Sequence, residues 1–233
     1  MHGTRTPAPA KNDSRAVTVR IARDPNDLML VTAIRSAVYL AEQDCPIEEE
    51  FDGNDLVAAH FIGFVGKEPA GCLRVRFFGE FAKVERLAVR HQYRRTRVSF
   101  KLVQASVEYV KRKGFRKIYG QAQDRLVDFW AHFGAKPLGH NRKLTFSDFS
   151  YTEMVLDIEP SADAITLESD PYVIIRPEGD WDRPGVLDLS STRAGRRAPR
   201  GSRGNPTHAG SRTRSWPRCG RWEIGRASCR ERV

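Results

Sequence analysis

The chain has 233 residues and a formal net charge of +10 at pH 7, a balance typical of proteins that bind nucleic acid or anionic membranes. Residues 193–233, however, contain 12 Arg, no Lys and 2 Glu and so carry the whole excess. Because the remainder is neutral and has no apolar run of about 18 residues, we expect no nucleic-acid partner, no membrane span and a cytoplasmic protein.

The C-terminal residues 189–233 are predicted to be a disordered basic tail, since they have few aliphatic residues and no hydrophobic period. The last eleven, EIGRASCRERV, resemble the translation of a sequencing adapter. We therefore expect the chain to leave its natural reading frame after about Asp188. A basic arm that binds nucleic acid is the competing interpretation. The four cysteines are spaced neither as a disulfide framework nor as a metal site.

The predicted elements begin after a polar arm, residues 1–15. AVTVRIA, residues 16–22, alternates and predicts a strand. A helix follows, capped by Asp24 with Pro25 in its first turn. CPIEEEFDGNDL predicts an acidic loop or short helix. Two strands, AAHFIGFVGK and EPAGCLRVRFFGE, meet at the hairpin signal GKEPAG.

The second half of the pattern alternates strands and helices. AKVERLAV predicts a strand, and a helix runs from about Thr96 to a C-terminal cap at Gly114. FRKIYGQAQ is a strand, DRLVDFWAHFGA a helix, and KLTFSDF and YTEMVLDIE are closing strands. Over residues 16–158 this order predicts an α/β domain with a mostly antiparallel mixed sheet and one parallel crossover. Residues 159–188 form an extension that covers a sheet edge or begins a linker.

The joint between the fourth strand and the long helix, HQYRRTR, contains three arginines and no glycine. The start of a helix exposes unpaired N–H groups that bind anions, and arginine adds bidentate donors. Within a strand–helix crossover this favours a pyrophosphate. A solvated basic turn that binds nothing is the alternative.

These segments together resemble the GCN5-related N-acetyltransferase (GNAT) superfamily over about residues 17–158. The resemblance rests on VERLAV, QYRRTRVS, IYGQAQ and LVDFWAHFGAKPLG, the last matching the family's FY-x-x-x-GF segment. VYLAEQDCPIEEEFDGNDLVAAHFIG and AQ…FW…FGA…TEM are most similar to the ElaA-like branch. The resemblance implies a GNAT-like acyl-CoA N-acyltransferase fold, with a splayed parallel strand pair in mid-sheet and helices on both faces.

The same resemblance implies acetyl-CoA as cosubstrate, no metal, and direct attack by a primary amine of a small molecule or peptide. Of the family's pyrophosphate loop, Gln/Arg-x-x-Gly-x-Gly/Ala, the chain keeps the leading Arg94 and replaces the glycines by Arg97 and Ser99. The pantetheine arm would lie along Leu87, Ala88 and Val89, with the Leu87 N–H polarising the thioester carbonyl. The implied cofactor-binding turn comprises Arg94, Arg95, Thr96, Arg97, Val98 and Ser99.

For catalysis we predict Glu85 as general base, because it shares a strand face with Leu87. Its alternative is an outward Glu paired with Lys83 or Arg86, and Glu153 is the second candidate base. Trp130 replaces the family's proton-donating Tyr and is expected to pack near CoA or in the core. The leaving thiolate would take its proton from water or from Tyr151, unless Tyr151 is only a packed aromatic.

Two other functions are compatible with the sequence. The lost glycines and the missing Tyr are compatible with a catalytically degenerate GNAT fold that binds CoA or a partner protein. An acyl-homoserine lactone synthase-like enzyme is a more remote alternative. We expect a monomer or a homodimer.

Overall fold

A computed structural model describes residues 16–139, 142 and 144–190. The predicted arm, residues 1–15, and almost all of the predicted tail lie outside this part. The strands are β1 (Val17–Ile21), β2 (Ala59–Val65), β3 (Glu68–Phe77), β4 (Ala82–Val89), β5 (Lys117–Gln123), β6 (Lys136–Pro137), β7 (Leu144–Phe146) and β8 (Phe149–Asp157). The α-helices are α1 (Pro25–Arg35), α2 (Ala41–Gln43), α3 (Ile47–Glu50), α4 (Val98–Arg112), α5 (Val127–Ala131) and α6 (Pro171–Ile174).

One mixed sheet organises the described residues, in the order β1-β2-β3-β4-β5-β8, with β6 and β7 both paired to β8. Only β4 and β5 run parallel among the paired strands that the structure describes, and α4 connects them. The predicted mixed sheet with a parallel pair in its middle is therefore confirmed. In the described part of the chain, no helix has the length and apolarity that crossing a membrane requires.

The helices cover both faces of the sheet. On one face, Val31 and Ile34 of α1 pack with Ile62 and Cys72. On the other, Leu102 and its neighbours in α4 pack against β2, β3 and β4. The cap predicted for α1 is present, since the Asp24 side chain accepts a hydrogen bond from the Asp27 N–H. The single predicted helix is interrupted after Arg35 by a π-helical turn, Ser36–Leu40, which leads into α2.

The extension after residue 158 packs against the domain as part of the same compact unit. Trp181 is 7% exposed and stacks on Tyr109 of α4 with 5.4 Å between ring centroids. The Lys113 ammonium lies 2.6 Å from the Glu178 carboxylate. Gly179, which has φ 82°, lies against the Ile21 side chain of the edge strand β1. These contacts join the segment to α4 and to the edge strand β1.

Candidate active site

A gap opens between the two parallel strands. Their register ends at Val84 opposite Gly120, although β4 continues to Val89 and β5 to Gln123. Leu87, Ala88 and Val89 therefore form the β4 side of this opening, which we name the β4–β5 gap. The sequence-based expectation placed the pantetheine arm along these three residues.

A β-bulge shapes β4 at the gap. Cys72 lies opposite Ala88 and Arg74 opposite Glu85, so two residues of β4 face one residue of β3. Arg86, the first residue of the bulge, has φ 53°. A bulge of this kind bends the strand and redirects its backbone groups. Here the extra residue places Leu87 against the core on the α4 side, whereas Glu85 lies opposite Arg74 on the α1 side. The expectation that Glu85 and Leu87 share a strand face is therefore wrong.

Two side chains stabilise the bulge: Tyr39, from the segment before β2, and Arg86, from β4 itself. The Tyr39 hydroxyl donates a hydrogen bond to the Leu87 carbonyl at 3.0 Å. The Arg86 guanidinium donates to the Glu49 carbonyl and lies 3.4 Å from the Asp52 carboxylate. The Leu87 peptide is thus held by the segment between α1 and β2, through long-range contacts that no local sequence pattern predicts.

A buried ionic cluster lies beneath the bulge. Arg35, Glu50 and Arg74 are at most 1% exposed. Arg74 binds Asp52 at 2.5 Å and Asp55 at 2.8 Å, and Arg35 binds Glu50 and Asp55. Three carboxylates of the acidic stretch EEEFDGND, those of Glu50, Asp52 and Asp55, thus neutralise buried arginines.

Glu85, the predicted general base, belongs to the same cluster. Its carboxylate accepts a hydrogen bond from Arg74 Nε at 2.9 Å and lies 2.7 Å from the Lys83 ammonium. The pairing with Lys83 that stood as the alternative is therefore present. Both carboxylate oxygens face cations, so no oxygen of Glu85 is free of a positive neighbour.

A polar surface lies on the same side of the sheet, across the β4–β5 gap. Lys83 pairs with Tyr119, Gln121 with Glu153 and Gln123 with Tyr151. Since strand residues two apart share a face, Glu85, Glu153 and Tyr151 all point to the side that α1 covers elsewhere. We name the surface formed by Tyr119, Gln121, Gln123, Tyr151 and Glu153 the polar face.

Glu153 differs from Glu85 in its surroundings. Its Oε1 accepts a hydrogen bond from the Tyr119 hydroxyl at 2.8 Å, whereas its buried Oε2 has no hydrogen-bond partner among the described residues. Burial and this hydrogen bond raise the pKa of Tyr119 to about 12, so the phenol stays protonated. Sequence reasoning missed Tyr119. The alternation in IYGQAQ places it on the face of Gln121 and Gln123, but only the β5–β8 pairing brings it to Glu153.

Tyr151 is oriented by a neighbouring amide. Gln123 is 8% exposed and donates from Nε2 to the Tyr151 hydroxyl oxygen at 3.2 Å. Its Oε1 accepts from Arg125 Nε at 2.9 Å. Because the Tyr151 oxygen is acting as an acceptor, its own O–H proton can be donated elsewhere. Gln123 and Arg125 were not among the predicted site residues.

The arginine-rich turn precedes α4 as predicted and needs no glycine. Arg97 is the N-cap residue with φ −87°, and no described residue from 91 to 99 has a positive φ. Ser99 lies in the first turn of α4, and the Val98 N–H is 3.4 Å from the Thr96 hydroxyl. The substitution of both glycines is therefore compatible with an ordinary helix start.

The three arginines of the turn differ in their partners. Arg94 binds the Glu42 carboxylate and donates to the Val89 carbonyl. Arg95 and Arg97 are exposed, and neither has a carboxylate within 4.0 Å in the part of the chain that the structure describes. Two guanidinium groups thus remain available to an anion at the start of α4.

Trp130 lies on the opposite side of the sheet from the polar face. With Phe133 it closes an apolar cavity whose floor includes Val84, Gly120 and Ala122. Trp130 thus packs, partly buried, against the core near Val84 and Gly120, where the β4–β5 register ends. Among the described residues, no group of three or more His, Cys, Asp or Glu side chains is arranged to hold a metal ion.

The chain is similar to known proteins in both sequence and structure. Residues 29–135 match the model of the acetyltransferase (GNAT) family. The Bacillus subtilis protein named "Putative acetyltransferase BSU40680" is 33% identical over 112 residues, which are 46% of this chain and 76% of that protein. The B. subtilis "Uncharacterized N-acetyltransferase YjcF" is 27% identical over 53% of this chain and 89% of its own length.

The fold is also shared with a solved protein of the predicted branch. The crystal structure of Escherichia coli ElaA superposes with a TM-score of 0.54 and 22% identity, covering 60% of this chain and 99% of that one. The family match, the 33% identical relative and the splayed parallel strands agree. The chain therefore belongs to the acetyltransferase (GNAT) family.

Proposed function

We propose that this GNAT acetyltransferase transfers the acetyl group of acetyl-CoA to a primary amine by direct attack. The observation that carries the proposal is the junction of two features. The β4–β5 gap would give a thioester access to the Leu87 backbone beside the bulge. The start of α4 lies a few residues further along the chain, and two of its arginines have no carboxylate partner among the described residues.

The cofactor would bind along β4 and the start of α4. We assign the pyrophosphate to Arg95, Arg97 and the backbone N–H groups around Val98 and Ser99, since a helix start and guanidinium groups both favour anions. Arg94 would join them after leaving Glu42. The pantetheine arm would follow Leu87, Ala88 and Val89, with Trp130 packed behind the gap.

Calorimetric titration with acetyl-CoA tests this assignment. A charge-assisted contact contributes about 1.5–3 kcal/mol, so Arg97→Ala is expected to weaken binding roughly 10-fold or more. Arg116→Ala is the matched control, because Arg116 is exposed at the start of β5 and pairs only with Glu159 among the described residues. Absence of binding at millimolar acetyl-CoA would refute the proposed function.

For the chemical step we assign the base to Glu153 in preference to Glu85. The amine nitrogen attacks the thioester carbonyl carbon while the Leu87 N–H stabilises the developing oxyanion. Glu153, through Oε2 or one water, takes the proton that the amine loses. The C–S bond breaks, and the CoA thiolate takes a proton from Tyr151. We assign Glu85 to holding Arg74 and Lys83 beside the bulge.

Thiol release with a panel of amines tests these roles. General-base catalysis contributes roughly 10²–10⁴-fold, so Glu153→Gln should reduce kcat about 100-fold without changing acetyl-CoA affinity. Glu85→Gln should mainly lower the melting temperature, because it leaves Arg74 and Lys83 less well paired. The assignment would be reversed if Glu85→Gln lost most of its kcat at unchanged stability while Glu153→Gln kept its activity.

A non-catalytic CoA-binding member of the family is the second candidate. Trp130, at the position of the family's proton donor, favours it. Acetyl-CoA binding without thiol release from any amine would support this candidate over the enzyme.

A further inference from the structure

Two arginines on or beside the polar face lack the acidic partners that most charged groups near the gap possess. Arg125 is held by Gln123, with 2.9 Å between Arg125 Nε and Gln123 Oε1. The positive charge of Arg142 acts on Tyr119. Neither guanidinium has a carboxylate within 4.0 Å among the residues the structure describes. The surface is therefore prepared for a negative group.

The same surface also carries one group that is suited to a positive ligand. Glu153 Oε2 is buried and has no hydrogen-bond partner in the described residues. A buried carboxylate oxygen without a donor is costly unless a ligand supplies one. An ammonium group would supply this donor. After losing a proton, the same group would be the amine that attacks the thioester.

The spacing of these groups suits a short ligand. Glu153 and Tyr151 lie two residues apart on one face of β8, opposite Gln121 and Gln123. Gln123, which pairs with Tyr151, also holds Arg125. The residue that positions the guanidinium therefore lies two strand positions, about 7 Å, from the Gln121–Glu153 pair, and a short ligand with a charge at each end suits this arrangement.

We propose that the acceptor amine also carries a carboxylate, as an α-amino acid does. Its ammonium binds Glu153, and its carboxylate binds the Arg125 guanidinium that Gln123 orients. Arg142 adds to the positive potential of the same surface. This inference rests on the proposed function for the chemistry but concerns a binding site of its own. A simple cationic amine would leave Arg125 unpaired beside a like charge, which disfavours it.

The test compares free amino acids with their carboxamides, which keep the amine and lose the negative charge. Binding to the full chain is measured by calorimetry, once alone and once with saturating CoA. At least one free amino acid should bind 10-fold or more tightly than its amide. Arg125→Gln should remove that preference, whereas Arg116→Gln should keep it.

Three results would overturn the inference. The first is that no free amino acid binds at millimolar concentration. The second is that the unaltered protein binds acid and amide equally. The third is that the Arg125→Gln variant loses CoA affinity but still prefers the free acid to the amide. Failure of the proposed function would look different. In that case acetyl-CoA would not bind, and the measurements made without CoA would still decide whether the amino acid site exists.

Discussion

At the scale of single residues, side-chain contacts hold Arg86 in a left-handed backbone conformation, with φ 53°, that non-glycine residues disfavour. A non-glycine residue in the left-handed region costs roughly 1–2 kcal/mol. The guanidinium of Arg86 is held by the Glu49 carbonyl and by Asp52, and its strand neighbour Leu87 is held by Tyr39. These contacts keep the bulge in one shape, which fixes the direction of the Leu87 peptide.

Replacing Arg86 separates the backbone effect from the side-chain effect. Both Arg86→Gly and Arg86→Ala remove the guanidinium contacts. Glycine tolerates the positive φ, whereas alanine keeps the backbone strain. We expect kcat to fall about 10-fold in both variants, with the alanine variant less stable than the glycine variant by about 1 kcal/mol. Thiol release and urea denaturation measure the two quantities.

Asp148→Gly is the control for this pair. Asp148 is exposed in the β7–β8 turn and also has a positive φ, 62°. It should gain stability slightly and leave kcat unchanged. If Arg86→Gly behaves like Asp148→Gly, the contacts of Arg86 have no part in placing Leu87.

The buried carboxylates make stability depend on pH. Burial alone would raise the pKa values of Asp52 and Asp55, but hydrogen bonds from Arg74 more than offset it and both pKa values are lowered. Their contribution is therefore complete above the unfolded pKa of about 4 and is lost as pH falls below it. Burial lowers the pKa of His60, and this also makes the free energy of unfolding decrease as pH falls. Burial raises the pKa of Glu50, which opposes them.

We therefore expect the free energy of unfolding to decrease as pH falls below about 4. Asp52→Asn should be less stable than the unaltered protein at pH 7, with a smaller difference at pH 3. Urea denaturation across this range measures it. A difference that is constant with pH would show that the Asp52 charge does not contribute.

At the scale of elements, the position of α4 on the sheet depends on two glycines in β2 and β3. A Cβ on Gly63 would lie 2.5 Å from Val98 Cγ2, and a Cβ on Gly71 would lie 2.8 Å from the Ala88 carbonyl oxygen. The glycines thus let the start of α4 and the end of β4 approach β2 and β3. That approach sets the place of the arginine turn relative to the gap.

Gly71→Ala should consequently separate β3 from β4 near the gap. Overpacking costs about 1–3 kcal/mol, and we expect a loss of stability in that range together with weaker acetyl-CoA binding. Gly79→Ala is the control, since nothing lies within 4 Å of the added Cβ. Wild-type stability in Gly71→Ala would show that the strands accommodate the methyl group without shifting.

At the scale of the whole molecule, the segment after residue 158 contributes to the core. Trp181 and Tyr109 stack, and both are buried. Removing a buried aromatic side chain costs about 3–5 kcal/mol. Trp181→Ala should lower the free energy of unfolding by that amount, whereas Leu167→Ala, at a residue 95% exposed, should not. Urea denaturation distinguishes them, and equal stability of the two variants would show that the extension is dispensable.

The sequence by itself determined the order of elements, the cap of α1, the arginine turn before α4 and the membership of the family. These are local or sequential properties: hydrophobic period, capping residues and motif order can be read along the chain. It also placed Glu85, Glu153 and Tyr151 on strands, since alternation is local. It could not decide which glutamate acts as the base, because a carboxylate can accept a proton from substrate only where its own partners leave an oxygen available.

Only the tertiary structure decided those partners. Glu85 pairs with Arg74 and Lys83. Glu153 accepts a hydrogen bond from Tyr119, and its other oxygen has no hydrogen-bond partner in the part of the chain that the structure describes. The bulge at Arg86 depends on a register shift against β3, and the pairing of Gln123 with Tyr151 depends on β5 meeting β8. These contacts join residues far apart in the chain, and such pairings follow from how strands and helices pack, which no local pattern encodes.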